Sequence, residues 1–414
     1  MANTGLRRLL RLVARPVRRT GRRSGPVLQA YRGFGHDDEI FLMGRVVRQM
    51  GLGIGLRLGG LAHDIVDILR RFLRRGIGGA LVEARFGGAV ERVTADSLGY
   101  FRLHMRIQDR PHGRDGWHAV ELALIEPKCD AHARGWVYIP PNTCRFVVIS
   151  DIDDTVMFTG VANKLKMLWR LFVSKAESRL AFPGAGALYR ALYGGVSGFE
   201  HNPMLYVSRG PWSIYEVLET FFNLHCIPVG PILFLREWGV TLQHPLPKKG
   251  KNHKRDMIDR MLSLYDDMPF VLIGDSGQHD PEIYARIVKE HRSRVLAVYI
   301  RNISRDPERI AAIEALAKEV ADAGSSLVLA ADSHAMAEHA ADLGLIPRHA
   351  LAAIEDEQRA AGEEIPHGRL QRLEGETAPE THEAVEQGRL EDMLTGTAEN
   401  EPPESVAVDS GRRA

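Results

Sequence analysis

The sequence predicts an α/β protein: a parallel sheet wound with helices, preceded by a small β-sandwich-like domain. Three observations predict it. Between residues 145 and 332, apolar strand-like runs alternate with amphipathic helical ones, the rhythm of a parallel sheet covered on both faces. Between 27 and 141, short apolar or alternating runs follow one another, several of them separated by Gly, Asp and Pro, as in an antiparallel sandwich. Finally, FVVISDIDDTV at 146–156 drives a buried strand straight into three carboxylates within four positions. A solvated acidic turn or a helix N-cap is the plain reading of that motif. A metal-dependent phosphoryl-transfer site is the sharper one.

Composition narrows the class. A chain of 414 residues favours two domains over one, and 44% hydrophobic with 26% charged residues is ordinary for a globular protein. The net charge of +1 hides an asymmetry. Eight arginines lie between Arg7 and Arg23, with no acidic residue before Asp37, while 362–414 carries thirteen Asp and Glu against five Arg. Cys129, Cys144 and Cys226 are few, odd in number and widely spaced, which argues against a disulfide framework or a structural zinc site and fits a reducing, cytoplasmic setting. No apolar run is long enough for a membrane span, and the arginine-rich head lacks the apolar core of a secretory signal.

The expected organisation runs in order. Residues 1–26 form a basic disordered arm whose leucines and arginines suit an anionic lipid surface; a solvated tail is the equal alternative. Residues 27–141 form the β-rich domain, with strands at 39–47, 80–86, 99–107, 117–125 and 134–140. One helix interrupts it at 61–75, where Leu61, Ile65, Ile68, Leu69 and Phe72 share a face. The preceding GLGIGLRLGG fails the spacing of a nucleotide loop and reads as a connector. In the catalytic domain at 145–332, strands RFVVIS, MLYVS, GPILFL, FVLIGD, RVLAVYI and SSLVLA alternate with helices, and Pro211 and Pro281 mark helix starts. A terminal helix follows at 333–361, then an acidic tail at 362–414 too polar to bury a core.

In such sheets ligands bind beyond the carboxyl ends of the strands. Asp151, Ser208 and Asp275 each fall at such an end. Phosphoryl transfer needs a nucleophile, positive charge on the phosphoryl oxygens and an acid for the leaving oxygen. Asp151 is the candidate nucleophile, and Asp153 the candidate acid and then base. Carboxylates so close call for a hard cation such as Mg²⁺, with Asp275 as a further ligand. Asp280 either touches metal-bound water or caps a helix, and the sequence leaves both open. Ser208 and Lys254 are candidates for holding the phosphate. Lys248, Lys249 and Lys251 compete with Lys254, which is preferred because Ile258 and Leu262 share its helix face.

These residues in this order resemble the haloacid dehalogenase-like phosphatase superfamily, whose motifs are DxDx[TV], a strand-end Ser or Thr, a Lys and a late acidic pair. Here they read Asp151, Asp153 and Thr155, then Ser208, Lys254, and Asp275 with Asp280. SDIDDTV, LAFPGAGALYRALY, LYVSRGPW and FVLIGDSGQHDPEIY are similar to the phosphatidate phosphatase family first described for fungal actin-patch proteins, in particular to its bacterial members. The resemblance implies a Rossmann-like catalytic domain, metal ligation by Asp151, Asp153, Asp275 and Asp280, phosphate contacts from Thr155, Ser208 and Lys254, and Mg²⁺-dependent conversion of phosphatidate to diacylglycerol. It implies a phospholipid substrate at a membrane surface, with the protein peripheral rather than spanning.

A stretch at 160–182 places Val161, Leu165, Leu168 and Phe172 beside Lys164, Lys166, Arg170 and Lys175, either a packed helix or a basic lid. Arg209 and Trp212 are expected at the same entrance. Two other enzyme substrates stay open, a soluble phosphomonoester and a phosphoprotein. A non-catalytic binding module conflicts with the intact acidic and basic motif residues. Nucleic-acid binding ranks last, for want of an aromatic platform. Each basic residue near an anionic surface contributes about 1 kcal/mol before screening. Deleting residues 1–25 is therefore expected to weaken sedimentation with anionic liposomes, most at low salt; equal sedimentation would make the arm a solvated tail.

Overall fold

The computed structural model describes residues 25–48, 75–108, 116–152, 155, 181–210, 212–234, 240–241, 244–245 and 253–364. The arginine-rich arm, the connector and helix expected before residue 75, the basic stretch at 160–182 and the acidic tail lie wholly or nearly so outside them.

The β-rich part contains β1 (Pro26–Ala30), β2 (Gly33–His36), β3 (Glu39–Arg48), β4 (Leu81–Phe86), β5 (Ala89–Thr94), β6 (Tyr100–Arg106), β7 (Trp117–Glu126) and β8 (His132–Tyr138). They form one hydrogen-bonded sheet, in the order β1-β3-β2-β8-β7-β4-β5 with β6 also on β3. Pairing is antiparallel except between β2 and β8. The strand period of two decides what is buried: on β7, Val120, Leu122 and Leu124 enter the core while Glu121 faces solvent. No strand is expected between 86 and 99, because β5 is polar and only alternately half-buried. The structure corrects this. Gly87 and Gly88, both at positive φ, make the two-residue turn that pairs Phe86 with Ala89 and sends β5 back along β4.

The second part alternates β9 (Val147–Asp151), α1 (Ala185–Gly194), β10 (Met204–Ser208), α2 (Tyr215–Leu224) and β11 (Ile232–Phe234). A small antiparallel ribbon, β12 (Val240–Thr241) and β13 (His244–Pro245), comes next. Then follow α3 (His253–Leu264), β14 (Phe270–Asp275), α4 (Asp280–Glu290), β15 (Val295–Arg301), α5 (Pro307–Asp322), β16 (Leu327–Ala330), α6 (Ser333–Asp342) and α7 (Ala350–Glu364). One terminal helix was expected over 333–361; the structure has two, broken across GLIP, where Gly344 and Pro347 stop the first.

Strands β11-β10-β9-β14-β15-β16 form a wholly parallel sheet. Its strands read as continuous apolar runs because both faces are buried. Alternate residues go to opposite sides: Val148, Tyr206 and Tyr299 to a core with α1, α2 and α6, Ile149, Val207 and Ile300 to a core with α3, α4 and α5. In chain order the chain starts in the middle of the sheet at β9, runs out to β11, then returns to the other side of β9 at β14. That is the doubly wound order, and it opens a crevice at the carboxyl end of β9, where the winding reverses.

Asn202 fastens the start of this sheet. Fully buried, it accepts from the N–H groups of Arg145 (2.9 Å) and Phe146 (3.4 Å) and donates to the Leu192 carbonyl (2.9 Å) at the end of α1. Asn202→Ala strands these groups at about 1–3 kcal/mol each. We expect a loss of about 3 kcal/mol in denaturant unfolding; a loss under about 1 kcal/mol would contradict this account.

Candidate active site

The winding reversal collects charged side chains from four elements. Asp151 is the last residue of β9, Asp275 the last of β14, Asp280 the first of α4, and Lys254 lies in the first turn of α3. All four are buried, the three carboxylates completely. Lys254 Nζ donates to Asp151 Oδ1 at 2.7 Å and to Asp280 Oδ1 at 2.5 Å. Burial alone would pull the lysine pKa down; the charges of Asp151 and Asp280 prevail and hold it well above its usual value. The ammonium also lies 5.4 Å from the centre of the Tyr284 ring.

Asp275 is oriented by its own loop. Its Oδ1 accepts from the N–H groups of Gly277 (2.8 Å) and Gln278 (2.9 Å), and its Oδ2 from Gln278 Nε2 (2.9 Å). Asp280 Oδ2 accepts from the Asp275 N–H at 3.3 Å. Its carboxylate turns back towards β14 and Lys254, so the helix-cap alternative is not what the structure shows; the N-cap is His279, without a side-chain bond. Gly274 makes this approach possible: a Cβ there would stand 2.4 Å from Asp280 Oδ2. The β9 end is held by Ser150. Its hydroxyl donates to the Asp151 carbonyl (2.8 Å), and so receives the Tyr189 hydroxyl at 2.5 Å. Burial pushes the Tyr189 pKa up to about 12, so it remains a donor.

One carboxylate oxygen from each of Asp151, Asp275 and Asp280 lies within 4.8 Å of the others. An all-oxygen donor set of this kind fits a hard divalent cation better than zinc or copper. Ser208 ends β10, one residue beyond the Val207–Asp151 pairing; it is buried and accepts the Gly210 N–H at 3.0 Å. Thr155 is buried, and among the described residues its hydroxyl meets no hydrogen-bond partner. Asp153, Lys248, Lys249 and Lys251 lie outside the described residues.

One expectation needs correcting. Trp212 does not line an entrance: it is buried, stacked 4.8 Å from Tyr31 of the β-rich part and packed 4.6 Å from Phe234. Sequence reasoning also missed supporting residues. Tyr189 and Gln278 gave no signal. Gly274 did, as a glycine inside an otherwise apolar strand, and so did Arg301, a fourth polar residue at a strand end.

Residues 146–302 match the family described as "Phosphatidate phosphatase APP1, catalytic domain". All four clustered residues fall inside that span. Phosphatidate phosphatase APP1 of Saccharomyces cerevisiae is 30% identical over 155 residues, which is 37% of this chain and 25% of the yeast protein. An uncharacterised protein of Schizosaccharomyces pombe is 27% identical over 159 residues, 38% of this chain and 25% of its own length. The chain thus matches about a quarter of each relative. Among solved structures, a carbohydrate acetylesterase from Xanthomonas citri aligns with a TM-score of 0.30 at 8% identity, over 74% of this chain and 68% of that one; so distant a likeness carries no argument.

Removing the cation from a buried charge cluster costs about 3–5 kcal/mol, because the anions stay behind without it. Lys254→Met is therefore expected to lower unfolding free energy by about that much in EDTA-containing buffer. A loss below about 1 kcal/mol would mean that the carboxylates are not held as anions by Lys254.

Proposed function

We propose that this protein is a Mg²⁺-dependent phosphatase that converts phosphatidate to diacylglycerol through an aspartyl-phosphate. The observation that carries the reading is the convergence of Asp151, Lys254, Asp275 and Asp280 on one strand edge, within the span that matches a phosphatidate phosphatase catalytic domain. The reading includes a haloacid dehalogenase-like, Rossmann-like catalytic domain at 145–332 and a sandwich-like domain at 27–141. The doubly wound strand order and the separate core of the eight-stranded sheet support it.

The chemistry follows from the residues. Three carboxylates beside one ammonium leave the cluster with excess negative charge, and a buried anion is stable only when paired. A bound Mg²⁺ would supply that pairing through Asp151, Asp153, Asp275 and Asp280, and would offset the charge of the phosphoryl oxygens. Lys254 pins one carboxylate oxygen of Asp151, so the group presents the other to phosphorus. An Asp151 oxygen bonds to phosphorus as the ester P–O bond breaks, and Asp153 gives its proton to the departing diacylglycerol oxygen. Water then attacks the phosphorus of the aspartyl-phosphate and loses its proton to Asp153; the acyl-phosphate P–O bond breaks, inorganic phosphate leaves and Asp151 is restored. Ser208 and Thr155 hold the phosphoryl oxygens through their hydroxyls. Asp151 and Ser208 sit directly on strand ends, which suits a site where placement to a fraction of an ångström matters.

The lipid substrate rests on the family match. No helix among the described residues is long and apolar enough to cross a membrane; on this reading the lipid substrate is met at a membrane surface.

The test compares wild type and Asp151→Asn on phosphatidate vesicles and on a panel of soluble phosphomonoesters, with Mg²⁺ and with excess EDTA. Wild type should release phosphate from the vesicles only with Mg²⁺, and the variant should lose at least about 10³-fold in kcat. Full activity in EDTA would remove the metal from the mechanism. Turnover of soluble esters alone would keep the mechanism and replace the substrate.

A further inference from the structure

Arg301 ends β15 in register with Asp275 on β14, and its carbonyl accepts the Ser276 N–H at 2.9 Å. Its side chain is 3% exposed. Nε donates to the carbonyl of Thr155 at 3.1 Å and Nη2 to Ser333 Oγ at 3.0 Å. The guanidinium carbon lies 4.2 Å from the centre of the Phe182 ring. Ser333 has one proton, and it donates that proton to the Pro183 carbonyl at 2.8 Å, which leaves its oxygen to accept from Arg301. Among the described residues no carboxylate forms an ion pair with Arg301, although the charge of Asp332 acts on it from further away. Burial draws its pKa down to about 10, so it stays charged at neutral pH.

A buried cation served by a carbonyl, a hydroxyl and a ring is a poor way to gain stability, since an apolar side chain of similar volume costs less to bury. What the arrangement does achieve is geometric. The planar guanidinium joins two acceptors and a ring on three segments: the Thr155 carbonyl after β9, the Phe182 ring before α1, and the Ser333 hydroxyl at the first residue of α6. Thr155, which it grips, lies two residues after Asp153 in the sequence.

We propose that Arg301 is a positioning residue, which holds the chain after β9 at the Thr155 carbonyl and is itself held by Ser333. Ser333 lies 31 residues beyond the end of the family-matched span at 302, so the positioning of Thr155 depends on chain outside that span. The kinetic side of this rests on the phosphatase reading; the structural side does not.

The experiment uses the full chain and two readouts. Hydrogen–deuterium exchange reports the chain after β9 directly. A lost hydrogen bond from a charged donor corresponds to about tenfold faster exchange or more. Arg301→Met should therefore speed exchange in a peptide covering 150–156 by about tenfold while the 271–275 strand is unchanged. Ser333→Ala should do the same more weakly, and Ser333→Thr, which keeps the hydroxyl, should restore protection. Unchanged exchange at 150–156 in Ser333→Ala and in Arg301→Met would overturn the proposal; if Arg301→Met does not fold, Ser333→Ala decides. In turnover, Arg301→Met should lower kcat by about tenfold or more with KM little changed, and Arg301→Lys should recover only part, because an ammonium cannot span both acceptors. Parallel loss of kcat and melting temperature, with 150–156 still protected, would instead mark a packing role and also overturn it. A wild type inactive on every phosphate ester would sink the phosphatase reading and leave the exchange result standing on its own.

Discussion

Asp151, Asp275 and Asp280 are withdrawn from water completely, and the ammonium that touches two of them arrives from a different helix. An ionised carboxylate in a poorly polarisable interior is unfavourable by several kcal/mol unless charge and hydrogen bonds surround it. Much of the local structure answers that constraint. Helix α3 must present Lys254 inward, so Ile258 and Leu262 follow it on the same face. Asp275 needs the turn through Gly277 and Gln278 to supply its donors. Residue 274 must lack a side chain for Asp280 to reach its place.

The parallel sheet makes this convergence possible. Burying both faces fixes each strand between two cores, so the backbone at the carboxyl ends holds its relative position. The winding reversal beside β9 then brings residues more than a hundred positions apart to one edge. The eight-stranded sheet contributes from the side. Tyr31 packs on Trp212 and Tyr215, and Arg32 donates to Glu219 of α2 at 2.9 Å, close in sequence to the end of β10. The β-rich part thus braces the segment that follows Ser208.

Much of this was legible in the sequence, for physical reasons that also explain the failures. The six parallel strands stood out because two-sided burial leaves no polar interruptions. Lys254 could be preferred over Lys248, Lys249 and Lys251 because helical periodicity assigns it a face. Strand β5 was missed because an outer strand needs little apolar content, although Gly87 and Gly88 announced its turn. Trp212 was misplaced because a tryptophan beside a site residue looks the same in sequence whether it faces solvent or a second sheet. Arg301 was overlooked although it obeys the strand-end rule that found Asp151, Ser208 and Asp275. Its partners, Thr155 and Ser333, lie 146 and 32 positions away, and only the fold brings them together.

Sequence likeness and folding do not share a boundary here. The matched region stops at residue 302, one position after β15, yet β16 pairs with β15 along Val298–Arg301. The chain then comes back across the first helix of the fold: Glu357 of α7 accepts the Ala187 N–H at 2.8 Å and pairs with Arg190 at 3.2 Å. A fragment cut at the edge of the match would leave β15 with a bare row of backbone donors and acceptors, the usual starting point for strand-to-strand association between molecules. It would also lose α6, whose small side chains Ala337 and Ala340 close one core. The matched span and the compact unit are different lengths of this chain, and the longer one includes α7.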